Sequence, residues 1–165
     1  MQTPYNYLFD NTSKTYQFTT KNDIVYKVAF IEDSTLNSIS SSGMEFENMY
    51  QIIIDKVTDV VEPLDFKVSL TIDLIISNFF KTIENALIYI CSEDNGKETK
   101  RYNAFNRWYE NSKRKQIITK IDNVLEFDET TSVIYTSLLY HNNNPNIKYI
   151  LTAFNEIKEV INEEK

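Results

Sequence analysis

The chain predicts an α+β fold: a mainly antiparallel sheet of about seven strands covered by three helices, in the order ββββ-α-β-α-ββ-α. Three observations carry this. The N-terminal third alternates ring-bearing or aliphatic residues with polar ones, in short runs broken by polar turns. The apolar period changes to three and four after Pro63, and again after Pro145. Strands come in blocks instead of alternating strictly with helices, which separates α+β from α/β. The length of 165 residues suits one ordinary domain, taken as 1–165.

In order, Tyr5, Tyr7 and Phe9 alternate with Asn6, Leu8 and Asp10 as a first strand, and Asn11-Thr12-Ser13 turns the chain. Tyr16 and Phe18 mark a second strand, Lys21-Asn22-Asp23 a second turn, and Tyr26, Val28 and Phe30 one face of a third strand. The Ser-rich stretch from Ser34 to Gly43 reads as a surface loop. Met49 to Val57 reads as a fourth strand, its Ile52-Ile53-Ile54 centre buried on both faces. Asp65 is placed to cap a helix whose stripe is Val68, Ile72, Ile75, Ile76, Phe79, Phe80 and Ile83. Ala86 to Cys91 is a short apolar strand, followed by a loop at Ser92 to Gly96 and a second helix from about Lys97 to Lys113. Gln116 to Phe127 and Val133 to Tyr140 form a hairpin across Asp128-Glu129-Thr130. Asn144 and Pro145 open the last helix, with Ile147, Ile150, Leu151, Phe154, Ile157 and Ile161 inward.

Composition excludes several kinds of chemistry. One Cys forbids an intramolecular disulfide and fits a reducing, cytoplasmic setting. The N-terminus lacks the basic-then-apolar pattern of a signal peptide, and the window around Leu70–Phe80 is too short and polar to span a bilayer. With Gly43 and Gly96 alone there is no P-loop or dinucleotide fingerprint. One His and one Cys make no usual zinc site, so no metal and no cofactor is expected. His141 reads as an exposed loop histidine and Cys91 as a buried, inert thiol. A net charge of −7 repels phosphate backbones and disfavours nucleic acid, although a local basic patch can override the mean.

The segment from Cys91 to Trp108 stands apart. An acidic loop containing Glu93 and Asp94 precedes a helix bearing Lys97, Lys100, Arg101, Arg107, Lys113 and Arg114. Trp108 follows Arg101 by seven residues, so the two share a helix face. Arg and Trp are residue types that dominate protein-interface hot spots. The structural alternative has Phe105 and Trp108 packing the core and Arg101 pairing with an acid such as Asp94. The candidate binding residues are therefore Asp94, Arg101, Arg107 and Trp108, and no catalytic set is assembled.

The spacing D-x6-R-x3-F-x2-W over Asp94, Arg101, Phe105 and Trp108 resembles the bacterial family known as domain of unknown function 6169. YNYLFD, YQFTT, and an apolar helix leading into the strand that ends at Cys91 add to the likeness. The resemblance implies a bacterial, cytoplasmic setting and brings no activity. The sequence thus points to a small binding module that works through a protein partner without catalysis of its own. One alternative is an enzyme or nucleic-acid-processing factor using Asp94, Arg101 and Arg107. Another is a component of bacterial defence or counter-defence.

Overall fold

The computed structural model describes residues 3–41, 43, 45–61, 63–91, 96–126 and 133–163. Four strands open the chain: β1 (Tyr7–Asp10), β2 (Thr15–Thr19), β3 (Val25–Glu32) and β4 (Met49–Lys56), paired antiparallel in succession. A short helix, α1 (Thr35–Ile39), lies between β3 and β4 where the Ser-rich stretch predicts a loop. Its Leu36 is fully buried, so one apolar residue inside the polar run is enough to dock a helical turn. Helix α2 (Phe66–Phe79) then crosses to β5 (Ala86–Cys91), which runs parallel to β4. A parallel pair requires a long crossover, and α2 supplies it.

Helix α3 (Glu98–Glu110) and a 3-10 turn at Lys113–Gln116 lead to β6 (Ile118–Glu126). The next strand, β7 (Val133–His141), sits between β5 and β6 and is antiparallel to both. Helix α4 (Ile147–Glu163) ends the described chain. The sheet order is β1-β2-β3-β4-β5-β7-β6, which makes an α+β architecture with the expected seven strands. The hairpin turn expected at Asp128-Glu129-Thr130 lies outside the described residues.

The pleat sorts side chains onto two faces. On the first face, Phe18, Val28, Ile52, Leu87, Tyr89 and Leu139 meet α2 through Val68, Ile72, Ile75 and Ile76, and α3 through Phe105. On the second, Met49, Ala86, Ile88, Leu138 and Leu125 meet α1 and α4, the latter through Ile150, Ala153, Phe154 and Ile157. Each fully buried aliphatic side chain contributes about 1.5–3 kcal/mol.

Cover on the second face stops short, and this corrects the reading of β4. Ile52 is buried but Ile53 is 41% exposed, because among the described residues no helix lies over the second face of β1 to β3. The end of α2 is corrected as well. It stops at Phe79, with Phe80 as its C-cap, and Ile83 lies beyond it and exposed.

Asp65 caps α2 as expected, accepting from the Lys67 amide at 2.9 Å, and its other oxygen accepts from Tyr5 Oη at 2.6 Å. Asn144 does more than start a helix. Its Oδ1 accepts from the Asn146 amide at 2.9 Å while its Nδ2 donates to the Glu84 carbonyl at 3.0 Å, and α4 proper begins at Ile147. An ion pair between a buried arginine and a partly exposed carboxylate ties the 3-10 turn to α2: Arg114 Nε lies 2.6 Å from Asp73 Oδ1, and the same Nε–H donates to Ser112 Oγ at 3.0 Å. The guanidinium is almost wholly buried, and among the described residues its Nη1 has no hydrogen-bond partner.

Removing Asp73 strands that cation. Asp73→Ala is expected to lower stability by about 3–5 kcal/mol, whereas Asp73→Leu combined with Arg114→Met recovers most of the loss. Urea unfolding of the three proteins checks this. An Asp73→Ala variant as stable as the wild type would contradict it.

Candidate functional site

Helix α3 is polar for most of its circumference, and Phe105 is its one buried residue. That ring stacks on Tyr89 at 4.0 Å between centroids and holds the helix over β5. Tyr102 stacks on Tyr135 at 4.4 Å, and Tyr109 Oη donates to the Ile118 carbonyl at 2.7 Å. The pinned face leaves a neighbouring face, spaced by three and four, looking toward the start of α2: Lys97, Lys100, Ala104, Arg107, Trp108 and Asn111.

Between the two helices lies an open groove of about 710 Å³. Its second wall is the segment leading into α2, with Val61 93%, Leu64 76% and Phe66 59% exposed. Tyr26 of β3 and Lys56 at the end of β4 also line it. Tyr26 ends a row of stacked rings, Tyr5 on Phe18 at 6.1 Å and Phe18 on Tyr26 at 5.2 Å. Trp108 is half-buried and belongs to both places, packing against the core cluster while lining the groove.

The electrostatics of this groove run against those of the chain. Lys56, Lys97, Lys100 and Arg107 line it, all exposed, and among the described residues none forms an ion pair. Among the described residues the one carboxylate in the lining is Asp65, and both its oxygens are engaged by Lys67 and Tyr5. Burial alone would raise the Asp65 pKa. The hydrogen bonds from Tyr5 and Lys67, with the charges of Lys21 and Lys67, outweigh it and hold the carboxyl below its ordinary value. The groove therefore presents four cations and an apolar wall in a chain of net charge −7.

The sequence candidates separate in space. Arg107 and Trp108 line the groove, and Arg101 does not. Arg101 is exposed on the next face, where its charge acts on Tyr89 and Cys91. Asp94 lies outside the described residues, and so does any pairing of Arg101 with it. Cys91 is buried; burial pushes its thiol up, against the opposing pull of Tyr89 and Arg101, which leaves it a poor nucleophile. His141 ends β7, its Nδ1 accepting from the Asn143 amide at 3.0 Å.

A second polar cluster sits under α3 at the sheet edge. The Lys120 side chain is only 4% exposed, lies over the Tyr102 and Tyr109 rings and pairs with Asp122, which also accepts from Ser137 Oγ at 2.6 Å. Burial lowers the Lys120 pKa, and Asp122 opposes that shift. The cleft beside it is only about 180 Å³ and its charges satisfy one another, so it acts as a fastening for α3.

Sequence reasoning misses the apolar wall. The run DVVEPLDF places Val60, Val61 and Leu64 between a strand and a helix, and Phe66 at the helix's first position, with no period that would bury them. Unperiodic large apolar residues flanking Pro63 are the signal that marks it.

Among the described residues, no three or more of His, Cys, Asp and Glu come together in a group able to hold a metal ion, and no helix is long and apolar enough to cross a membrane. Residues 64–156 match the model of a family of unknown function, DUF6169. The match covers more than half of the chain, so the chain belongs to that family. It runs from the groove's apolar wall through α3 to most of α4 and leaves out the N-terminal meander. Comparison with curated proteins and with solved structures finds no match.

The Asp65 anchor at the lip of the groove makes a pH prediction. A carboxyl whose folded pKa is depressed contributes stability above its unfolded pKa, about 4, and loses it as pH falls through the folded value. Acid unfolding of the wild type should therefore be steeper below about pH 4 than that of Asp65→Asn. Parallel acid limbs in the two proteins would remove Asp65 from this role.

Proposed function

We propose that this member of the DUF6169 family is a small cytoplasmic binding module that acts through a protein partner, without catalysis of its own. The observation that supports this reading is the groove between α2 and α3, where solvent-exposed Val61, Leu64 and Phe66 face Trp108 and Arg107. Exposed apolar surface rimmed by charge is the usual character of a protein-binding patch, and Trp and Arg are its usual energetic anchors. The cytoplasmic setting rests on the single thiol, which is buried. The catalytic alternative has less support. Among the described residues Arg107 lines the groove without Arg101, and the Lys120–Asp122 pair under α3 is held in internal contacts.

Capture from the source cell with the full chain tests the reading. Leu64→Asp and Arg107→Glu change exposed side chains and should stay within about 0.5 kcal/mol of wild-type stability. Each should nevertheless lose a partner that the wild type retains. Leu8→Asp, on the open sheet face away from the groove, should keep it. A partner kept by both groove variants and lost by Leu8→Asp would move the binding surface to the sheet and refute the assignment.

A further inference from the structure

Building on that reading, we infer that the groove selects an acidic partner segment carrying large apolar side chains. Two features of the same cavity give the two halves of this specificity. Lys56, Lys97, Lys100 and Arg107 line it, and among the described residues the one carboxylate in the lining, Asp65, already accepts hydrogen bonds from Tyr5 and Lys67. Among the described residues an anionic segment therefore meets four cations and no unengaged carboxylate. Lys97, Lys100, Ala104, Arg107 and Trp108 lie along one side of α3, so charge runs the length of the wall instead of gathering at one point. An extended or helical acidic segment matches this better than a compact anion.

The apolar half comes from the opposite wall. Leu64 and Phe66 face Trp108 across the groove, and they would remain in water if the occupant were only charged. An aliphatic or aromatic side chain between them and the indole removes apolar area from water on both sides. Acids set approach and orientation, and the apolar anchor sets residence time. A nucleic acid would use the same cations but would set planar bases, and no branched aliphatic side chain, against Leu64 and Val61.

The chain carries a single tryptophan, so Trp108 reports on the groove directly. Its fluorescence is followed while the full chain is titrated with four probes. These are peptide pools built from Asp, Glu, Leu and Phe, from Lys, Arg, Leu and Phe, and from Asp, Glu and Ser, together with single-stranded oligothymidylate. The first pool should shift the emission saturably and bind at least about tenfold more tightly than the others. Its binding should weaken as salt screens the charges. A folded Lys97→Glu, Lys100→Glu, Arg107→Glu variant, checked by circular dichroism and thermal melting, should lose the first pool and gain the second.

Equal binding of the basic pool or the serine pool would overturn the acidic-apolar specificity while leaving the groove a protein-binding site. Preferred binding of oligothymidylate would overturn both. If no probe shifts Trp108, the inference fails; the capture experiment with Leu64→Asp and Arg107→Glu then decides the broader reading independently.

Discussion

The packing of α2 across the first face of the sheet is the constraint from which the rest follows. Val68, Ile72, Ile75 and Ile76 are at most 5% exposed, and they meet strands from both halves of the sheet. Because α2 is the crossover between parallel β4 and β5, its burial fixes where the meander joins the C-terminal half. It also fixes the position of Asp65, and through Asp65 the N-terminal segment at Tyr5. Phe79 extends the same contact into the meander, stacking on Phe30 at 4.2 Å and meeting Tyr50 edge-on at 5.2 Å. The apolar wall of the groove is therefore the leading end of a helix held on the sheet by four buried aliphatic side chains.

The α3 wall is held differently. Helix α3 buries one ring, and its remaining attachments are peripheral: Tyr102 on Tyr135, Lys120 beneath Tyr102 and Tyr109, and the Asp73–Arg114 pair beyond its C-terminus. Local stability follows local burial, so α3 is the element of the groove best able to adjust. A firm wall and a yielding one suit a site that receives a segment of another chain. The family match begins at Leu64 and contains the α3 wall with Leu64 and Phe66 of the apolar wall, whereas Val61, Tyr26 and Lys56 come from the part of the chain outside it.

Periodicity made the architecture legible. Alternating rings in the meander and the three-four spacing of α2 and α4 each demand one buried face, and the sheet and helices satisfy that demand. It failed where burial depends on what lies above a strand. Ile53 reads as core in an apolar triplet, yet α1 and α4 cover only the other end of the sheet. Ile83 continues the stripe of α2 in sequence and lies past the helix's end in space. Arg101 and Trp108 share a helical face by spacing, but the lining stripe of Lys97, Lys100, Ala104, Arg107 and Asn111 has Trp108 at its edge and Arg101 just beyond it. Val61 and Leu64 are marked in the sequence only as unperiodic apolar residues beside Pro63; what they face depends on α3 standing opposite, a contact between segments far apart in sequence.

The central claim is that the face of α3 turned toward α2, together with the segment entering α2, is the surface that meets another molecule. Amide hydrogen exchange of the full chain, free and in complex with its captured partner, tests it most directly. The account predicts slowed exchange on binding at residues 64–68 and along α3 from Lys97 to Asn111, with little change in α4. Protection confined to β1 and β2, or to α4, with α3 exchanging as in the free chain, would contradict it.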